Sequence, residues 1–353
     1  MKVNPKLAGL LILLAVMACS AAYMLLSGAA ETSELRGYVG GEKIGVLEDE
    51  EIGKILARKY HITLDWVKAG SLDMVTADLD GRDFLFPSSQ TALEYYEQRH
   101  GSPAKSEIVF NTPLVLYTRR PVLEALEAAG MVRERDGCYY MDMERLAAEL
   151  ERGTRWEELG LPQLYGTFAV NTTDPAKSNS GNMFAGLLAN VLCGGVADES
   201  NVRDVLGRLQ TIFENLGYME TSSSDLFDQF LKTGMGAKPL VAGYESQLLE
   251  FAVQNPDDWA QLKDEIVMIY PTPTVWSSHV FIALDEKGAA GIDALMDEEV
   301  QRLAWEQHGF RTGVAGTAQD AQRFDVPYLA PEVTQVAPMP EYAAMEQIIA
   351  ALQ

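Results

Sequence analysis

Histidine and cysteine are scarce in this chain: 353 residues contain 4 His and 3 Cys. His61, His100, His279 and His308 are scattered, and no Cys/His cluster has the spacing of a zinc site, so no metal ligands are assigned. Cys19 lies in the apolar N-terminal run, which leaves Cys138 and Cys193 either to form one disulfide or to stay as two buried thiols. Basic residues are also short, with 28 Lys and Arg against 51 Asp and Glu and a net charge of −23. Nucleic acid is excluded as a partner, because phosphate binding needs a basic stripe and none is visible. An acidic surface keeps the chain soluble and repels anions at long range, so an anion site here has to work through local donors.

Catalytic signatures are missing as well. There is no G-x-S-x-G elbow, no H-E-x-x-H helix, no phosphate loop ending in Gly-Lys-Ser or Gly-Lys-Thr, and no G-x-G-x-x-G opening the first helix. Catalysis needs a base, a nucleophile or a metal within hydrogen-bond reach of one another, and nothing in the pattern brings such groups together. The sequence is read as a non-enzyme with no cofactor.

What is present begins at the N-terminus. Lys2 and Lys6 precede an apolar run from Leu7 to Ala30, followed by the acidic "ETSE". That is an export signal or membrane anchor over residues 1–30. The run reaches bilayer-spanning length. "SGAA" offers a cleavage site and "VMAC" at Val16 to Cys19 loosely matches a lipoprotein box. We read an anchored protein, by uncut helix or lipid, with residues 31–353 outside the cytoplasm.

Beyond it, short apolar runs alternate with amphipathic stretches. "KIGVLED", "ITLDWVKAGS" and "RDFLFPSS" read as strands, each leading into a helix, and this βαβαβα order implies a mostly parallel sheet. Ligands on such sheets bind at the strand ends. The loops there, "AGS" at 69–71, "PSSQ" at 87–90 and "NTP" at 111–113, are all small, uncharged and hydroxyl-bearing. Farther on, "LYGTFAVNTTD" reads as a strand, "NMFAGLLANVL" as a buried helix, and "EIVMIYPTPTVWSSHVFIAL" as two strands broken by a Pro-rich bend. "AAGIDALMDEEVQRLAWEQHGFR" at 289–311 reads as one helix. The sketch is an α/β protein of two lobes, 36–115 with 270–353 and 116–269, crossing near 115 and again near 270.

Between Val170 and Leu192, Thr172, Thr173, Ser178, Asn179, Ser180 and Gly181 stand directly before the apolar helix. A helix start needs one such cap, and six exceed that need.

These features resemble bacterial extracellular solute-binding proteins of the type II periplasmic-binding class. "TDPAKSNSG" before an apolar helix is similar to the "DPxxSxSG" element on the second-lobe side of their cleft. "KAGS", "FPSSQ", "YESQLLEF", "AWxxHGFR" and the "YPxPTVWSSH" stretch extend the likeness over about residues 40–350. The resemblance implies a hinged two-lobed fold whose cleft holds a small-molecule or anionic solute for an ABC transporter permease. It implies ligand contacts from Gly70, Ser71, Ser88, Ser89 and Thr112 in one lobe. Ser178, Asn179, Ser180, Gly181, Tyr244 and Glu245 would face them from the other.

Trp276 near the second crossing either walls the cleft or packs. Glu245 either receives an ammonium or is a paired structural carboxylate, and Arg311 reads as a ligand or a helix cap. A second functional reading keeps the fold but makes it a membrane-anchored sensor or scaffold that binds a protein partner.

Overall fold

The structure is a computed structural model that describes residues 32–312 and 319–353. The N-terminal run that carries the export expectation lies outside them. No helix among the described residues is long and apolar enough to cross a membrane.

The strands form one ten-stranded mixed sheet, ordered β2-β1-β3-β9-β4-β8-β6-β5, with β7 and β10 attached to β4. The first half begins with β1 (Ser33–Val39), α1 (Ile44–Glu48), α2 (Glu50–Lys59) and β2 (Ile62–Lys68). It continues through α3 (Asp73–Thr76), β3 (Phe84–Phe86) and α4 (Gln90–His100) into β4 (Lys105–Arg119). The second half carries α5 (Arg120–Ala128), β5 (Val132–Arg135), β6 (Cys138–Asp142), α6 (Met143–Arg152), α7 (Asn179–Cys193), α8 (Leu206–Leu216) and α9 (Ser223–Thr233). It ends with β7 (Leu240–Tyr244), α10 (Glu245–Gln254), α11 (Pro256–Leu262) and β8 (Ile266–Thr272). Then come β9 (Trp276–Ala283), α12 (Glu286–Leu295), α13 (Glu298–His308), β10 (Arg311–Thr312) and α14 (Tyr342–Leu352).

β4 joins the halves. From Lys105 to Pro113 it pairs with β9, and from Leu114 to Arg119 it pairs with β7 or β8. The return crossing lies beside it, where the Thr274 hydroxyl donates to Leu114 O at 2.6 Å and Leu114 N–H donates to Val275 O at 3.0 Å.

Several sequence expectations differ from this arrangement. The sheet is mixed, not mostly parallel: β1 runs parallel to β2 and β3, and β6 to β8, while the remaining pairs are antiparallel. "KIGVLED" is helical, and the strand is the preceding "SELRGYV". A short apolar run does not distinguish strand from helix, and here Asp49 caps α2 by accepting from Glu51 N–H and Ile52 N–H. "NTP" lies inside continuous β4 and is not a loop. "LYGTFAVNTTD" makes isolated bridges only, among them Asn171 with Val241. The expected helix over 289–311 is two, because Asp297 caps a second start by accepting from Glu299 N–H, and its last residue, Arg311, lies in β10.

The core splits between the halves. Leu35, Phe84, Phe86, Phe110 and Phe281 fill the first. In the second, Phe168, Phe184, Leu188 and Ile212 pack on one sheet face, and Tyr117, Phe230 and Trp259 on the other. The sequence division gave the whole of 270–353 to the first lobe, yet Ala344, Met345 and Ile348 of α14 pack with α7 and α8. Only its start reaches the first half, where Tyr342 N–H donates to Glu94 Oε2 at 2.8 Å and the Tyr342 and Tyr95 rings stack at 4.5 Å.

Candidate functional site

Four helix starts meet between the halves. Ser89 caps α4 by accepting from Thr91 N–H at 3.1 Å, and Ser178, Ser222 and Tyr244 are the N-caps of α7, α9 and α10. A crevice of about 420 Å³ opens beside the starts of α7 and α9, with Gly40, Glu42, Ser71 and Asp73 on one side and Ser178, Asn179 and Ser222 on the other. Each helix start carries about half a positive charge, although several of its N–H groups are taken internally: Thr91 N–H by Ser89 Oγ, Gly181 N–H by Thr173 Oγ1, Asp225 N–H by Ser222 Oγ and Ser246 N–H by Thr112 Oγ1.

Asn179 is the link across the crevice floor. Its side-chain amide donates to Ser88 O at 2.9 Å in the first half and to the Tyr244 hydroxyl at 3.0 Å in the second. Ser88 O also accepts from the Ser277 hydroxyl at 2.8 Å, and Ser88 N–H donates to Ser71 Oγ at 3.0 Å. Behind Asn179, the Thr173 and Ser180 hydroxyls lie 2.8 Å apart, and Thr173 Oγ1 accepts from Gly181 N–H at 2.7 Å. Position 181 has to be glycine because a Cβ there would strike Thr173 O. The many hydroxyls before α7 are therefore divided between locking the helix start and facing the crevice.

The structure places Gly70, Ser71, Ser178 and Asn179 on the crevice wall, with Ser88 and Tyr244 bonded to Asn179 just behind it. Ser89, Ser180 and Gly181 serve the helix starts. Thr112 lies deeper, accepting from Ser246 N–H at 3.0 Å. Trp276 sits half-buried opposite Pro113 at the crossing. Glu245 is fully buried, and both its oxygens are taken: Arg311 Nε donates to Oε1 at 2.7 Å, and Arg311 Nη2 and the Tyr270 hydroxyl donate to Oε2 at 3.0 and 2.6 Å. Arg311 is thus the partner of Glu245, and it also donates to Pro331 O and Ala330 O. Burial works against the Arg311 charge, but the carboxylate outweighs it and holds the guanidinium above its ordinary value.

Sequence reading missed the loop after β1. Lys43 is fully buried, with Nζ donating to Phe86 O at 2.9 Å and to Ser88 Oγ at 3.0 Å, 4.7 Å from the centre of the Phe86 ring. The Ser88 hydroxyl in turn donates to Glu42 Oε2 at 2.7 Å. Burial pushes the Lys43 ammonium down to about 7, with Glu42 only partly opposing it. Burial, and then the Lys43 charge, hold His279 well below its usual range, so its imidazole is neutral. Burial, with Glu42 adding to it, raises the Tyr244 phenol well above its ordinary value. The "GGEK" signal was legible only once β1 was placed ahead of it.

Among the described residues no group of three or more His, Cys, Asp or Glu could hold a metal ion. Cys138 and Cys193 are both free thiols in separate core clusters.

No protein-family model and no curated protein matches the sequence. Solved structures do match in fold. The sulfate-binding protein SubI from Mycobacterium tuberculosis H37Rv aligns over 91% of this chain and 96% of its own, at 16% identity and a TM-score of 0.55. Trichodesmium FutA, in complex with iron and citrate, aligns over 91% and 97% at 11% identity and 0.57. A two-component system protein that mediates signal transduction aligns over 91% and 100% at 10% identity and 0.55. With its two sheet halves joined by paired crossings and a crevice between them, this chain has the two-lobed fold of type II periplasmic-binding proteins.

Proposed function

We propose that the chain is an extracytoplasmic solute-binding protein whose lobes close on a small anionic or strongly polar solute for delivery to an ABC-type transporter permease. One observation carries the reading: Asn179 of one lobe reaches Ser88 O of the other at 2.9 Å, beside a crevice walled by hydroxyls and helix starts. Donor sets on two hinged lobes make a clamp that a ligand closes. In this reading the first lobe is 36–115 with 270–312, the second is 116–269, and the chain from 319 onward straps the two together. The N-terminal run supplies export and anchoring. The reading assigns binding and no catalysis.

The test is thermal unfolding of the full chain against oxyanions, carboxylates, amino acids, sugars and polyamines. A true ligand at about a hundred times its dissociation constant stabilises by about 2.7 kcal/mol. A midpoint rise of a few degrees with one class supports the reading. The second reading, a sensor that binds a protein partner, is favoured by the likeness to the signal-transduction structure. No shift with any solute would move the assignment there.

A further inference from the structure

We propose that the solute is an anion received by Lys43 and Ser88, and that the Glu42 carboxylate competes with it for that seat. The inference rests on the solute-binding reading above and names the ligand's charge and the residues that select it.

Three polar groups converge where Gly40 lacks a side chain. A Cβ at that position would lie 2.6 Å from Ser88 Oγ, 2.8 Å from Lys43 Nζ and 2.9 Å from Glu42 Oε2. The group is tightly packed there: Gly40 and Glu42 line the crevice, while Lys43 and Ser88 are fully buried behind them, so a solute reaches Lys43 and Ser88 only where the Glu42 carboxylate moves aside. An ammonium has three donors, and Lys43 spends one on Phe86 O and one on Ser88 Oγ. A buried charge is costly unless it is paired, and the hydrogen-bond partners of the fully buried Lys43 ammonium are a backbone carbonyl and a hydroxyl, both uncharged. Glu42 accepts from the intervening Ser88 hydroxyl without pairing with the lysine directly. An oxyanion that took the place of the Glu42 carboxylate would accept from the Ser88 hydroxyl and meet the Lys43 charge behind it.

The groups facing Lys43 are accounted for on every side. Glu42 is on its own loop, Phe86 O on β3 and Ser88 at the start of α4. His279 on β9 is neutral, and Tyr244 stands across the floor as a neutral phenol. Lys68 approaches Gly41 from the end of β2. No second fixed negative charge satisfies Lys43 from these elements.

A pH signature follows. Lys43 titrates near 7, and an anion beside it raises that value. Above about pH 7 binding then takes up a proton, and affinity falls by at most about tenfold per pH unit.

The experiment is calorimetric titration of the full chain with inorganic sulfate, inorganic phosphate, citrate, putrescine and glucose, comparing the wild type with Glu42→Gln and Lys43→Met. One of the three anions is expected to bind. Its affinity should rise by about threefold or more in Glu42→Gln and fall by about tenfold or more in Lys43→Met. The wild-type enthalpy should report proton uptake at pH 8 in buffers of different ionisation enthalpy. If Lys43→Met does not fold, Glu42→Gln and the proton uptake decide. Binding of putrescine or glucose in place of the anions, or anion affinity unmoved by Glu42→Gln and without proton uptake, overturns the assignment to Lys43 and leaves solute binding standing. Binding of none of the five by wild type or Glu42→Gln counts against both.

Discussion

His308 at the end of α13 holds two acidic partners from different elements: Nδ1 is 2.7 Å from Glu250 Oε1 on α10, and Nε2 is 3.2 Å from Asp49 Oδ2 at the start of α2. Burial works against its charge, but the hydrogen bonds and attraction from Glu250 and Asp49 outweigh burial and raise its pKa. A raised histidine stabilises fully below its unfolded value of about 6.5, and that contribution is lost as pH rises through the higher folded value. Lys43 works the other way, since its depressed folded value makes stability rise between about 7 and the lysine reference value of 10.5. The unfolding midpoint of wild type minus that of His308→Gln should therefore shrink as pH rises from 6 to 9. A difference that stays flat would show that the imidazole carries no charge there. The residues legible in the sequence were those whose type is unusual in a run, such as Ser178 and Asn179 before an apolar helix. Lys43 was not legible, because a single lysine near a chain start looks solvated until the fold buries it. For Glu245 the sequence left two roles open, and only the three-dimensional approach of Arg311 and Tyr270 shows it to be paired.

At the scale of elements, the amphipathic helices were readable because their apolar spacing fixes a buried face: Val122, Leu123 and Leu126 in α5, or Leu146, Ala147 and Leu150 in α6. The strands were harder. β4 passes straight through an Asn-Thr-Pro that has every mark of a turn, because β9 pairs with all three residues and β10 with Asn111, holding the chain extended. α14 was recognised as a helix but not as a strap. Its body packs in the second half, and its first residue is stacked on Tyr95 of α4, whose own start carries Ser89 beside the crevice. A stacked aromatic pair contributes about 0.5 to 1.5 kcal/mol beyond burial. Tyr342→Ala should loosen the two lobes, increasing the radius of gyration seen by small-angle scattering while leaving the helical content unchanged. An unchanged radius would make the stack a local packing contact.

For the whole molecule, the charge balance argued against nucleic acid as a partner, and the alternation of runs gave the α/β class. The direction of the strands came only from three dimensions, since the alternation that implied a mostly parallel sheet belongs to one in which most strand pairs are antiparallel. The chain as a whole is acidic while the crevice wall includes two helix starts beside the Glu42 and Asp73 carboxylates, so the helix starts oppose the overall charge in their effect on an incoming anion. β4 gives its first nine residues to one half and its last six to the other. A strand held in common is also a melting unit held in common: when either half loses its hold on β4, the other loses its central strand. Calorimetry of the chain should then show one endotherm whose van't Hoff and calorimetric enthalpies agree, where two domains on a loose tether would give two. Heat would take both lobes apart together, because the strand that joins them is the strand neither can keep alone.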